Sequence, residues 1–141
     1  MGTVLSLFGI IPKKMGSQEA YARELSVQLA QRGWRSVLCF AALPPDPVAR
    51  LLAGPNVSIE VLESPERIGT GTLRGFAAIL RRYRPEIVHL NYVGFISPYP
   101  ALARLYSAKQ VYFTDHTSRP AGHVPGRAPL WKRIATRIIN Q

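Results

Sequence analysis

Short uninterrupted apolar runs alternate along the chain with longer stretches in which apolar residues recur every three or four positions. Thr3 to Phe8 (TVLSLF) ends at Gly9 and has the pattern of a strand buried on both faces, as in a parallel sheet. Pro12 breaks the loop that follows, Gly9 to Gly16 (GIIPKKMG). Ser17 then caps a predicted helix whose apolar positions Tyr21, Leu25 and Leu29, joined by Ala22, fall at helical spacing, and Gly33 supplies its stop. Ser36 to Ala41 (SVLCFA) predicts a second strand, Pro44 to Pro47 a loop or helix entry, and Val48 to Ala53 a short helix. Val57 to Leu62 (VSIEVL) alternates as a strand nearer an edge does. After a loop from Pro65 to Gly71, the residues Leu73, Phe76, Ala77, Leu80 and Tyr83 mark an amphipathic helix that Arg84-Pro85 closes, because the residue before proline avoids helical geometry. Ile87 to Asn91 (IVHLN) predicts a buried strand, Pro98 to Tyr106 a helix, Gln110 to Thr114 (QVYFT) a strand, and Pro129 to Ile139 a basic amphipathic helix.

Strands that alternate with helices dictate an α/β fold, a Rossmann-like, mainly parallel sheet with helices on both faces, since parallel neighbours need crossover connections. At 141 residues the chain reads as a single domain. It finishes on a predicted helix with no strand after it, so the last crossover is expected to be incomplete and the domain truncated.

Composition adds a charge imbalance to this picture. The apolar fraction is ordinary for a globular chain, but the formal net charge is +10, which calls for an anionic partner to be considered. Arg81, Arg82 and Arg84 have a local role, complementing the exposed carbonyls at a helix end. From Arg119 onward Arg127, Lys132, Arg133 and Arg137 add positive charge with no acid among them, which suggests peripheral contact with anionic lipid. Aromatic residues are not interleaved with these cations and no nucleic-acid-binding motif occurs, so a nucleic-acid partner is not expected. Cys39 is the single cysteine and cannot form an internal disulfide, the amino terminus lacks the form of a signal peptide, and no run is long enough to span a bilayer. A cytoplasmic protein is the expectation.

In an open parallel sheet ligands bind beyond the carboxyl ends of the strands, which singles out Gly9 to Gln18, Asn91 to Pro98 and Thr114 to Gly126. Gly16 allows close backbone approach, and Ser17 and Gln18 open a helix with unpaired amides, an arrangement suited to a phosphate or simply to a capped helix. Lys13 and Lys14 would add charge there. The spacing matches neither a dinucleotide fingerprint nor a P-loop, and Gly69-Thr70-Gly71 matches no nucleotide loop. His89, inside a strand, is expected to be a core residue bonded to backbone. His116 stands just past a strand end beside Asp115 and Thr117, placed to bond a sugar hydroxyl or to polarise a substrate. The histidines lack cysteine partners and close spacing, so no metal is expected.

Met15-Gly16-Ser17-Gln18, followed by Leu25-Ser26, Leu29-Ala30 and Arg32-Gly33-Trp34, resembles the start of glycosyltransferase family 4 enzymes. Arg84-Pro85-Glu86-Ile87-Val88-His89 resembles that family's Pro-Asp-Val-Val-His segment, and Thr114-Asp115-His116 the strand end that bears its sugar-contacting histidine. The resemblance implies the amino-terminal half of a GT-B fold in a retaining transferase that moves a hexose from a nucleotide sugar to a glycan or lipid-linked acceptor. The nucleotide sugar is a substrate, and no cofactor is implied. It places Gly16 against the donor diphosphate, makes His116 the sugar-contacting catalytic residue, and turns Lys13, Gln18 and Tyr21 toward the acceptor. Two positions depart from the pattern: Met15 replaces the first glycine of a pair, and Asn91 stands where a second histidine is common. A carboxy-terminal domain with a glutamate pair would hold most of the donor, so the chain alone is expected to be inactive. The alternative is a non-catalytic Rossmann-like binding or regulatory module.

Overall fold

The computed structural model describes residues 1–94, 96–114, 116 and 130. The elements run β1 (Thr3–Phe8), α1 (Ser17–Gln31), β2 (Arg35–Phe40), α2 (Asp46–Leu52), β3 (Val57–Val61), α3 (Thr70–Tyr83), β4 (Ile87–Asn91), α4 (Tyr99–Leu105) and β5 (Gln110–Thr114). The five strands form one sheet in the order β3-β2-β1-β4-β5, every neighbouring pair parallel. The chain steps from β1 outward to β3, then returns to lay β4 on the other side of β1. That reversal separates the loops after β1 and β4 and opens a crevice at the carboxyl rim. The predicted helix over Pro129 to Ile139 lies outside the described residues.

Because successive side chains on a strand point to opposite faces, each strand feeds two cores. Leu5, Leu7, Val37, Cys39, Val88 and Leu90 pack with Phe76, Ile79 and Leu80 of α3 and Tyr99 and Ala103 of α4. Phe8, Leu38 and Phe40 pack on the other face with Ala22 of α1 and with Val48 and Leu52 of α2. Burial of these side chains supplies the main driving force, about 1.5–3 kcal/mol for each large one. It also pushes the Cys39 thiol up to about 12, so the group behaves as an inert apolar filler. The sheet continues to β3 at one edge and β5 at the other, and β3 is half-buried along its length, as its alternating sequence predicts.

Three local expectations change. Helix α1 buries Glu19, Ala22 and Ser26, whereas Tyr21 is exposed and Leu25 and Leu29 are only half-buried. Small residues let the helix lie close to the sheet: the Ser26 hydroxyl bonds the Ala22 carbonyl at 2.7 Å and the Ser36 hydroxyl of β2 at 2.8 Å. The cap of α1 is Gly16, not Ser17, and Glu19 completes it by accepting the Gly16 amide at 2.9 Å. Helix α3 begins at Thr70, so Gly71 belongs to its first turn and the preceding loop is shorter than the glycines suggest. Gly33, by contrast, ends α1 as expected, at a φ of 68° that a side chain would disfavour.

Where β1 and β4 leave the sheet, the Gly9 amide donates to the Asn91 carbonyl at 3.0 Å. A Cβ on Gly9 would stand 2.7 Å from the Tyr92 carbonyl oxygen, a backbone atom that cannot swing aside. Gly9→Ala is therefore expected to destabilise the fold by about 1–3 kcal/mol, read from the midpoint of urea unfolding. An unchanged midpoint would show that this close approach is not required.

Candidate functional site

Strand alternation puts His89 and Asn91 of β4 on the face that α1 covers, because Val88 and Leu90 point into the α3 side. The register sets Thr114 of β5 directly beside Asn91. Gln18 and Tyr21, three residues apart in the first turns of α1, lean over the same strands. His116 arrives from just beyond β5. These six residues line a cavity of about 250 Å³ at the carboxyl rim.

The contacts within it are specific. His116 Nε2 lies 3.1 Å from Asn91 Oδ1, and its Nδ1 lies 3.5 Å from Gln18 Nε2. His89 Nε2 lies 2.6 Å from the Thr114 hydroxyl, and the Tyr21 ring meets the His89 ring edge-on with centroids 6.1 Å apart. Tyr92 stacks on His116, centroids 4.0 Å apart and planes within 6°. Tyr92 reaches that position through a left-handed backbone, φ 58°, a conformation that costs a non-glycine residue about 1–3 kcal/mol and persists only where its surroundings enforce it.

Of the residues singled out in the sequence, the fold brings Gln18, Tyr21, Asn91 and His116 together. Gly16 starts the helix that carries Gln18, but the Glu19 carboxylate occupies its amide. Ser17 and Lys13 are exposed and do not line the cavity. His89 departs from its expected role: it bonds a side-chain hydroxyl, not backbone, and faces the cavity. The signal was present in its spacing, two residues before Asn91 and so on the same face of β4. Thr114 and Tyr92 fall within strand-end segments that the sequence singles out, but the placing of Thr114 beside Asn91 depends on the register of β4 with β5, and the stacking of Tyr92 on His116 on a backbone turn, neither of which the sequence shows.

The lining side chains are two imidazoles, two amides, a phenol and a hydroxyl. Such a set recognises an uncharged, hydroxyl-bearing group by directional hydrogen bonds. A second recess of about 460 Å³ lies on the same rim at the ends of β1, β2 and β3, lined by Gly9, Ile11, Ala41, Glu63, Ser64 and Glu66. It is larger, but its two carboxylates disfavour a phosphate. The Tyr99 phenol, pushed up to about 12 chiefly by burial, donates to the Pro65 carbonyl and pins the loop that carries those acids.

The family model for Glycosyltransferase Family 4 matches residues 18–141. The chain belongs to glycosyltransferase family 4. No curated protein gives a significant match. All six cavity residues fall within the family 4 match, whereas Lys13, Gly16 and Ser17 precede it. Among the described residues, no helix of this family 4 domain is long and apolar enough to cross a membrane.

Burial, and then the neighbouring His116, holds the His89 imidazole below its ordinary value of about 6.5. The unfolded chain therefore takes up a proton at a higher pH than the folded one. The stability this contributes is complete above about 6.5 and is lost as pH falls below it toward the lower folded value. In urea unfolding, the wild type is expected to lose stability relative to His89→Gln between neutral and mildly acidic pH. An equal difference between the two at both pH values would show that His89 is not held neutral.

Proposed function

We propose that this domain is the acceptor-side, amino-terminal half of a GT-B, retaining glycosyltransferase. It would work in the cytoplasm, moving a hexose from a nucleotide sugar to a glycan or lipid-linked acceptor. The observation that carries the reading is the cavity at the switch point, in which a family 4 domain presents His116, Asn91 and Gln18 as hydrogen-bonding groups to one small volume. His116 contacts the transferred sugar. Gln18 and Tyr21 border the acceptor, with Lys13 farther out on the loop that precedes their helix.

The donor diphosphate approaches the first turn of α1, whose amides have no carbonyl ahead of them and whose dipole favours an anion. Glu19 already occupies the Gly16 amide, which leaves Ser17 and Gln18 as the donors on offer. Rate enhancement comes largely from electrostatic stabilisation of the departing diphosphate, with a glutamate-bearing second domain closing over the cleft to exclude water. No cofactor takes part. The basic segment from Arg119 onward holds the protein against anionic lipid, where a lipid-linked acceptor resides.

Two observations favour a second reading, a non-catalytic binding module. Met15 stands in place of a glycine, and the Glu19 carboxylate sits where the diphosphate of the first reading would approach.

Titration with a hexose 1-phosphate tests the sugar-binding role that the first reading gives this cavity. The expected result is perturbation of the Gln18 and Asn91 side-chain amides and the His116 ring in NMR spectra, with no turnover of nucleotide sugars by the domain alone. His116→Ala should weaken binding about threefold to tenfold, the value of one hydrogen bond. Perturbations confined to other surfaces, or binding indifferent to His116→Ala, would contradict the transferase reading.

A further inference from the structure

We infer that Asn91 is a positioning residue that sets the tautomer of His116, placing the proton on Nε2 and leaving the Nδ1 lone pair to receive a hydroxyl proton from the substrate. The substrate clause rests on the reading above, whereas the tautomer does not. Asn91 is buried, and its side-chain amide is oriented by two neighbours. Its Nδ2 faces the Leu7 carbonyl at 3.5 Å, and its Oδ1 faces His116 Nε2 at 3.1 Å. Turning the amide over would set two carbonyl oxygens against each other beside β1, with no proton between them. With Oδ1 toward the imidazole, the acceptor is fixed and Nε2 must be the donor.

A neutral imidazole protonated on Nε2 accepts at Nδ1. The group found there is the Gln18 amide nitrogen, at 3.5 Å. That separation, like the 3.5 Å from Asn91 Nδ2 to the Leu7 carbonyl, exceeds the ordinary range of about 2.7–3.2 Å for such bonds. But Gln18 ends a rotatable side chain whereas Leu7 offers fixed strand backbone, so Gln18 is the one that yields to a better donor. The Tyr92 ring stacked on His116 holds the imidazole plane, which keeps Nδ1 aimed at the cavity while Gln18 moves. In effect Gln18 stands in for a substrate hydroxyl. The site then favours a group that donates a proton and disfavours a carbonyl or carboxylate oxygen at the same point.

The tautomer is measured on the unliganded protein, with ¹⁵N-labelled histidine above the imidazole titration range. Wild type is expected to show a slowly exchanging Nε2–H proton on His116 and an unprotonated Nδ1. Asn91→Leu should abolish the slow proton and move both nitrogens toward the averaged values of a free imidazole. Gln18→Ala, which removes the contact at Nδ1, should leave the signature in place. A proton on Nδ1 in the wild type, loss of the Nε2–H signal in Gln18→Ala, or its survival in Asn91→Leu would overturn the assignment. Should Asn91→Leu fail to fold, the wild-type and Gln18→Ala spectra still decide it. Affinity for a series of singly deoxygenated hexose 1-phosphates tests the substrate clause separately. Loss at one hydroxyl that disappears in His116→Ala supports it, and uniform affinity along the series overturns it while the tautomer stands.

Discussion

At the carboxyl end of the sheet the backbones of β1 and β4 run side by side until Gly9 gives its amide to the Asn91 carbonyl, and there the two chains part. The approach is possible because position 9 has no side chain. On one side of that point β1 releases the loop that leads into α1 and so delivers Gln18. On the other, β4 ends with the Asn91 side chain toward α1 and with Tyr92 twisted into a left-handed conformation. The parallel pairing of β4 with β5 then brings Thr114 beside Asn91, and His116 follows two residues later. Sheet hydrogen bonds thus fix His89, Asn91 and Thr114 relative to one another, while Gln18 and Tyr21 come from α1 and His116 from just past β5.

Polarity divides the two faces of the sheet. On the α3 and α4 side the strands present leucine, valine and the buried Cys39, and packing there is continuous. On the α1 side the same strands carry Phe8, Leu38 and Phe40 near α2 but His89, Asn91 and Thr114 near β5. Those polar groups satisfy one another in part, which is the condition for keeping them out of water, and direct their remaining capacity at the cavity. Glu19 contributes from the edge: by taking up the Gly16 amide it stabilises the helix start, yet it places a negative charge near the corner that a diphosphate would use. The Gly16 amide is thus taken up by the helix cap.

Much of this architecture was legible from the order of apolar runs. Thr3 to Phe8, Ile87 to Asn91 and Gln110 to Thr114 appear with the boundaries their patterns imply, because continuous apolar runs between helical periods leave little choice but a parallel sheet. The face of α1 was not legible. Leucine at helical spacing points to a core, but close packing against β2 selected Ala22 and Ser26, and a hydroxyl pair between Ser26 and Ser36 has no signature in either segment alone. Within the site, Gln18, Asn91 and His116 could be placed by motif and by the rule that ligands bind at strand ends. The part played by His89 depends on which side of β4 faces α1, and that of Tyr92 on a backbone conformation that no residue type predicts.

The proposal on which the rest turns is recognition of a sugar hydroxyl by His116 in the cavity at the β4 and β5 ends. The most direct test is a crystal structure of this domain grown with a hexose 1-phosphate. Density is expected for the sugar ring among Tyr21, His89 and His116, with one hydroxyl within hydrogen-bond distance of His116 Nδ1 and the Gln18 amide displaced. Density for the sugar in the recess beside Glu63 and Glu66, with His116 and Gln18 unmoved, would contradict it.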